Sequence, residues 1–140
     1  MRVFVDTNIL LDVLMARSPF VVSSARVWRM TEQGRLDAYI SAISFNNILY
    51  IARKLKDTDA ARNAMRRLRD VFRIVDLDQQ TLHKAIDDDA ISDFEDAIQF
   101  HSAVRRGCVV LLTRNPDHFP STGPAVATPD EFLASPELTI

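Results

Sequence analysis

The sequence predicts an α/β fold in three layers, with helices on both faces of a central, mainly parallel sheet of four to five strands. Two observations carry this expectation. Short apolar and β-branched runs at 2–5, 37–40, 71–77 and 109–112 alternate with longer segments of helical spacing, and strands separated by helices pair in parallel. Right-handed crossovers then place the helices on both faces of the sheet. The second observation is that polar clusters follow the strand runs. In such sheets, reactive groups gather beyond the carboxyl ends of the strands.

Residues 2–5 form a short β-branched and aromatic run, a buried strand. Asp6-Thr7-Asn8 ends it, and these residue types cap the helix predicted from Ile9 through Leu14. Pro19 stands where a second helix would begin, with Val21, Val22, Ala25, Val27, Trp28 and Met30 on it. Gly34 stops that helix. After the 37–40 strand, Ser44 is expected to cap a helix whose apolar side carries Phe45, Ile48, Leu49 and Ile51. The 57–70 segment is rich in helix formers and carries Arg62, Arg66, Arg67 and Arg69, with Lys54 and Lys56 just before it. These basic residues read as a solvated helix face. Residues 71–77 read as a third strand, 81–86 as helix, and 94–104 as a helix ended by Gly107. The continuous apolar run 109–112 is the clearest strand, and 129–133 a short closing helix. Trp28 and Phe100 are expected in the core.

The chain has 140 residues, the size of one domain, here taken as residues 1–140. Hydrophobic residues are 47% and charged residues 26%, which argues against disorder. The formal net charge of −2 argues against tight, non-specific binding to a polyanion. It leaves open an enzyme that grips phosphate locally through a metal. The single cysteine, Cys108, excludes an intramolecular disulfide and fits a reducing compartment. No apolar run reaches the roughly 20 residues of a membrane span, and the N-terminus lacks the apolar stretch of a signal peptide. The expected location is the cytoplasm, with no membrane partner.

Three polar clusters are candidates for one site: Asp6-Thr7-Asn8 after the first strand, Asp93-Phe94-Glu95-Asp96 at a helix start, and Thr113-Arg114-Asn115-Pro116-Asp117 after the 109–112 strand. A parallel sheet puts the first and third at the same edge. The helix leading into the 109–112 strand begins at that edge too. Converging carboxylates repel one another unless a cation neutralises them. Hard oxygen ligands suit Mg²⁺ or Mn²⁺, and no Cys/His set is present for Zn²⁺. Phosphodiester hydrolysis is one chemistry such a centre performs. Each residue also has a plainer role. Asp6 alone reads equally well as a helix N-cap, and Asp93 and Asp96 as acids complementing a helix dipole. Asp87-Asp88-Asp89 reads as solvated loop, and His83, His101 and His118 lack metal-ligand spacing. Cys108 reads as a small buried hydrophobe.

Taken together, Val3-Phe4-Val5-Asp6-Thr7-Asn8-Ile9-Leu10-Leu11-Asp12, Phe94-Glu95-Asp96-Ala97 and Leu112-Thr113-Arg114-Asn115 resemble the PIN-domain family. They lie in the family's order over nearly the whole chain. The resemblance implies a Mg²⁺- or Mn²⁺-dependent endoribonuclease, often the toxin of a toxin–antitoxin pair, with RNA as substrate and an antitoxin protein as partner. By that carry-over Asp6 and Asp96 are metal ligands, with Asp93 close enough to help and Asp117 a further acid. Thr113 orients Asp6 or its neighbours, and Asn115 is the polar residue of the Thr-Arg-Asn turn. Thr7, Asn8 and Asn47 join the supporting set, and Arg114 with the 62–69 arginines steers the RNA backbone. Two positions depart from the pattern. Asn47 stands where many members carry a glutamate, which resembles a branch with Asn at the second acid. Asp117 comes one residue early, and His118 takes the expected place. These departures keep a second reading open, a catalytically weak or inactive PIN-fold module that binds RNA or protein. A haloacid-dehalogenase-type phosphatase needs an acid where Asn8 stands. The helices beginning at Pro19 and Ser44 read first as core and second as a homodimer face.

Overall fold

The computed structural model describes residues 1–135. Five strands form one sheet: β1 (Arg2–Val5), β2 (Asp37–Ser41), β3 (Arg73–Val75), β4 (Val110–Leu112) and β5 (Ala125–Ala127). They lie in the order β3-β2-β1-β4-β5, and every pairing is parallel. The connecting helices are α1 (Thr7–Leu14), α2 (Val21–Glu32), α3 (Ala42–Leu55), α4 (Thr58–Val71), α5 (Gln79–Asp87), α6 (Phe94–Arg105) and α7 (Pro129–Ala134).

β1 shows how the three layers arise. Successive strand residues point to opposite faces, so Val3 and Val5 enter a core shared with α1, α2, α3, α4 and α7. Phe4 enters a second core shared with residues of α5 and α6, including Ala85, Ile98 and Phe100. The central strand is therefore apolar on both sides, as parallel sheets require. Trp28 is in the first core, edge-on to Phe72 at 5.0 Å, and Cys108 in the second. Burial pushes the Cys108 thiol up to about 11. Among the described residues no helix is long and apolar enough to cross a membrane.

Several boundaries differ from the expected ones. α1 starts at Thr7 rather than Ile9 because Asp6 itself is the N-cap, its side chain accepting from the Asn8 N–H. α3 is capped by Ser41, not Ser44. β2 runs straight into the helix, and Ser41 Oγ accepts from the Ile43 N–H at 3.2 Å, while Ser44 is buried one turn further on. The third strand is shorter than 71–77, since Val71 ends α4 and Phe72 is its C-cap. Pro19 lies in the turn before α2, which begins two residues later. β5 has no signature of its own: Ala-Val-Ala is short and small, and its place comes from pairing with β4. The helices that raised a homodimer reading turn apolar faces to the core, through Val27, Trp28 and Met30 on α2 and Ile48 on α3.

Candidate active site

The sheet order puts the ends of β1 and β4 side by side, Val5 opposite Leu112. The Asp6 N–H donates to the Leu112 carbonyl at 3.0 Å, so both strands release their following residues at one edge. Asp6 is 3% exposed. Its Oδ1 accepts from Gln99 Nε2 at 3.0 Å and from the Asn8 N–H at 3.3 Å. Its Oδ2 accepts from Thr113 Oγ1 at 2.8 Å. Thr113 Oγ1 in turn accepts from the Asn115 N–H at 3.1 Å, shaping the turn after β4. The capping role and the site role of Asp6 coexist in one side chain.

Gln99 is the residue that sequence reading missed. It is 1% exposed and lies one turn along α6 from Asp96. Its Oε1 accepts from the Thr7 N–H at 3.0 Å, which leaves its amide nitrogen aimed at Asp6. The Thr7 hydroxyl lies 2.6 Å from Ser44 Oγ, so α3 joins the same polar chain. The available signal was an amide inside the buried run Ala97-Ile98-Gln99-Phe100. A buried amide needs partners, but the sequence does not say which ones.

The cleft above Asp6 is about 190 Å³ and is lined by Asp6, Asn8, Asp93, Glu95, Asp96, Asn115 and His118. Asp93 caps α6, accepting from the Asp96 N–H at 2.9 Å. Burial, then the charges of Asp6 and Asp93, hold the Asp96 carboxyl up at about 6. Burial and the charge of Asp6 also raise Glu95. Asn47 Nδ2 donates to Glu95 Oε2 at 2.6 Å. The amide on α3 therefore orients an acid contributed by α6. His118 Nδ1 stands 3.5 Å from Asp96 Oδ2. His118 is exposed and at the same time lines the cleft, carried beside Asp96 by the 3₁₀ turn Pro116–His118. Asp117, expected there, is exposed on that turn and does not line the cleft.

Arg114 is also elsewhere. Its Nε is 3.2 Å from Asp12 Oδ2, and its guanidinium lies over the Phe20 ring at 4.3 Å. Asp12 is fully buried, and Arg17 approaches its other oxygen at 3.9 Å. Burial raises the Asp12 carboxyl, and Arg114 and Arg17 oppose that. The pair ties the turn after β4 to α1, so Arg114 acts as a brace. The 62–69 arginines lie on α4 and do not line the cleft. Arg67 stacks 5.1 Å over Trp28. Asp88, in the predicted solvated loop, is paired with His101 at 2.8 Å.

Among the described residues no three acidic, histidine or cysteine side chains close on one point as a finished ligand set. The carboxylates instead surround an open cleft. Their donors are hard oxygens, which in kind fit a cation that keeps waters and leaves positions for phosphate.

Comparison with known proteins identifies the family. The PIN domain family model matches residues 2–117, and the chain belongs to the PIN domain family. It is 26% identical over 135 residues to ribonuclease VapC1 of Aquifex aeolicus, covering 94% of this chain and 92% of that one. The DNA-bound VapBC structure from Salmonella typhimurium matches with a TM-score of 0.72 at 16% identity, covering 92% of this chain and 98% of that chain. A toxin–antitoxin complex from Klebsiella pneumoniae matches at 0.68 and 24% identity, covering 91% and 97%. At these identities the two structures speak to the fold.

Two outcomes follow. Folded Asp96 keeps its proton up to about pH 6, whereas the ordinary value is 3.8. Between those values the folded state binds more protons, so this group costs stability as pH rises. In EDTA, Asp96→Asn should exceed the parent in urea stability at pH 7 by about 1–2 kcal/mol, the gap closing near pH 4. An unchanged gap across that range contradicts the assignment. Arg114→Ala strands Asp12 without its nearest cation and should cost about 2–3 kcal/mol at pH 8. Burial raises the Asp12 carboxyl and a protonated carboxyl needs no cation, so the loss should shrink as pH falls, checked at pH 5. A loss equal at both values argues that packing on Phe20, not charge, is what Arg114 supplies.

Proposed function

We propose that this chain is a divalent-metal-dependent endoribonuclease that hydrolyses RNA phosphodiesters, and that it works as the toxin of a pair with an antitoxin protein. The observation that carries the reading is the crowding of Asp6, Asp93, Glu95 and Asp96 around one cleft, where burial and mutual repulsion raise Glu95 and Asp96. Like charges gathered beside an open cleft are an arrangement that a cation relieves. The Aquifex relative named as a ribonuclease and the Klebsiella toxin–antitoxin complex support the substrate and the partner.

Asp6, Asp93, Glu95 and Asp96 would hold Mg²⁺ or Mn²⁺, in part through water. Such an ion supplies a polarised phosphate, an activated water and a stabilised leaving oxygen. The chain's own residues then have defined tasks. Gln99 and Thr113 fix the Asp6 oxygens at the cleft that Asp6 lines. Asn47 fixes Glu95. Asn115 and Asn8 line the cleft with amide groups that suit phosphate and sugar oxygens. His118, beside Asp96, offers a proton-carrying ring at the cleft edge.

A second reading, a PIN-fold module that binds RNA or protein with weak or no cleavage, is favoured by Asn47 in place of an acid and by the unfinished ligand set. Parallel calorimetry with Mn²⁺ and RNA cleavage assays separate the two. Cleavage that needs Mn²⁺ or Mg²⁺, stops in EDTA and falls at least about 100-fold in Asp6→Asn supports the enzyme. RNA binding without cleavage supports the module.

Glu95 yields a second test. Glu95→Gln should weaken Mn²⁺ binding about tenfold or more, and Asn47→Glu added to it should recover much of that loss by returning one charge from the other helix. If Glu95→Gln binds Mn²⁺ as tightly as the parent, Glu95 is not part of the ligand set.

A further inference from the structure

We propose that the exposed stripe of α3 beyond Asn47 is a binding track for single-stranded RNA next to the scissile phosphate. Tyr50 is its base-stacking platform, and Arg53, Lys54 and Lys56 are its phosphate contacts. The inference rests on the ribonuclease reading and assigns that site a substrate path.

Three hollows run into one another. The acidic cleft shares Asn8 and Glu95 with a groove of about 550 Å³. That groove shares Tyr50 and Arg53 with a hollow of about 660 Å³, which Lys54 and Lys56 also line. The helical repeat explains the continuity. Asn47, Tyr50 and Lys54 are spaced i, i+3, i+7, and Asn46, Tyr50 and Arg53 are spaced i, i+4, i+7, so each set shares one face. With a rise of about 1.5 Å per residue, Tyr50 and Lys54 lie roughly 5 and 10 Å along the axis beyond Asn47. The path thus passes from carboxylates through amides to an aromatic ring and then to cations.

Tyr50 is 63% exposed, with Lys54 Nζ 5.2 Å from its ring centroid. Large aromatic rings left at a surface beside cations are what an unpaired base stacks on. Arg53, Lys54 and Lys56 take part in none of the ion pairs among the described residues. Arg69, Arg73, Arg105 and Arg114 are all paired with acids. The one acid lining the cationic hollow, Asp57, is occupied as the cap of α4, accepting from the Ala60 N–H at 2.7 Å. The charges on this stripe are uncommitted and of the sign a phosphate chain needs.

The test measures fluorescence anisotropy of a labelled single-stranded RNA with the full chain in EDTA, where the strand stays intact, at two salt concentrations. Tyr50→Ala should weaken binding about tenfold, and Tyr50→Phe should restore it. Lys54→Ala combined with Lys56→Ala should weaken binding and flatten its salt dependence by roughly two phosphate contacts. In Mn²⁺ the same variants should raise KM and leave kcat near the parent value. Binding and KM unchanged in all variants of a parent that cleaves RNA overturn the track and leave the ribonuclease reading intact. A parent that binds RNA through these residues and never cleaves it upholds the track and removes the ribonuclease reading. If Tyr50→Ala instead turns a dimer into a monomer in sedimentation, or abolishes capture of a partner peptide while RNA binding stands, the stripe is a protein interface and the proposal fails.

Discussion

Asp6 is a carboxylate placed where charge is expensive, and the rest of the site depends on how it is held. It is buried at the end of the central strand. Its donors come from α6, from the turn after β4 and from its own helix start. Ionised acceptors make the stronger hydrogen bonds, so those donors offset part of the cost of removing the charge from water. Each donor is placed by the core. Gln99 sits between Ile98 and Phe100 on a buried helix face, and Thr113 directly follows an apolar strand. The position of the charge is therefore a property of the packed sheet and helices, not of a loop. That is the rigid support a site needs to hold its geometry to a fraction of an ångström.

Two groups of acids in the protein differ electrostatically. Asp12 is fully buried and answered by Arg114 and Arg17. Asp76 and Asp78 are answered by Arg105, and Asp37 by Arg73. These pairs are structural, and all but Asp12–Arg17 join segments distant in sequence. The cleft acids have no arginine or lysine lining the cleft with them. Of the side chains lining it, His118 is the one that can carry positive charge. A fold that pairs its other buried acid and leaves this group unpaired retains an instability in one place, as functional sites do.

The layers of the fold were legible because each strand–helix alternation is written locally, in runs of apolar residues and in capping side chains. The errors came where position depends on something outside the segment. Ser41 and Ser44 both look like caps, and which one caps is decided by where β2 stops pairing. β5 is three small residues whose strand character exists only through β4. The site divides in the same way. Asp6, Asp93 and Asp96 stand in recognisable local words. Gln99, Glu95, Asp12 and His118 take their roles from partners 93, 48, 102 and 22 positions away, at Asp6, Asn47, Arg114 and Asp96. Arg114 shows the hazard of the local word, since in the turn it reads as a phosphate contact, and in the structure it faces a buried aspartate.

Asn47 looks at first like a lost catalytic charge. In the structure its amide donates to Glu95, an acid that α6 contributes to the same cleft. The two locations are not equivalent energetically. Asn47 lies in the interior of α3, where the helix macrodipole gives a carboxylate no help. Glu95 lies in the first turn of α6 beside Asp93 and Asp96, where unpaired backbone N–H groups favour negative charge by about 0.3–1 kcal/mol each. Gathering three acids at one helix start lets a single dipole offset part of their mutual repulsion. What the cleft needs is a summed charge at a point, and several combinations of helix and side chain can deliver it. The summed charge is what a cation at the cleft would meet, and Glu95, held by Asn47, is one of the four acids that line it.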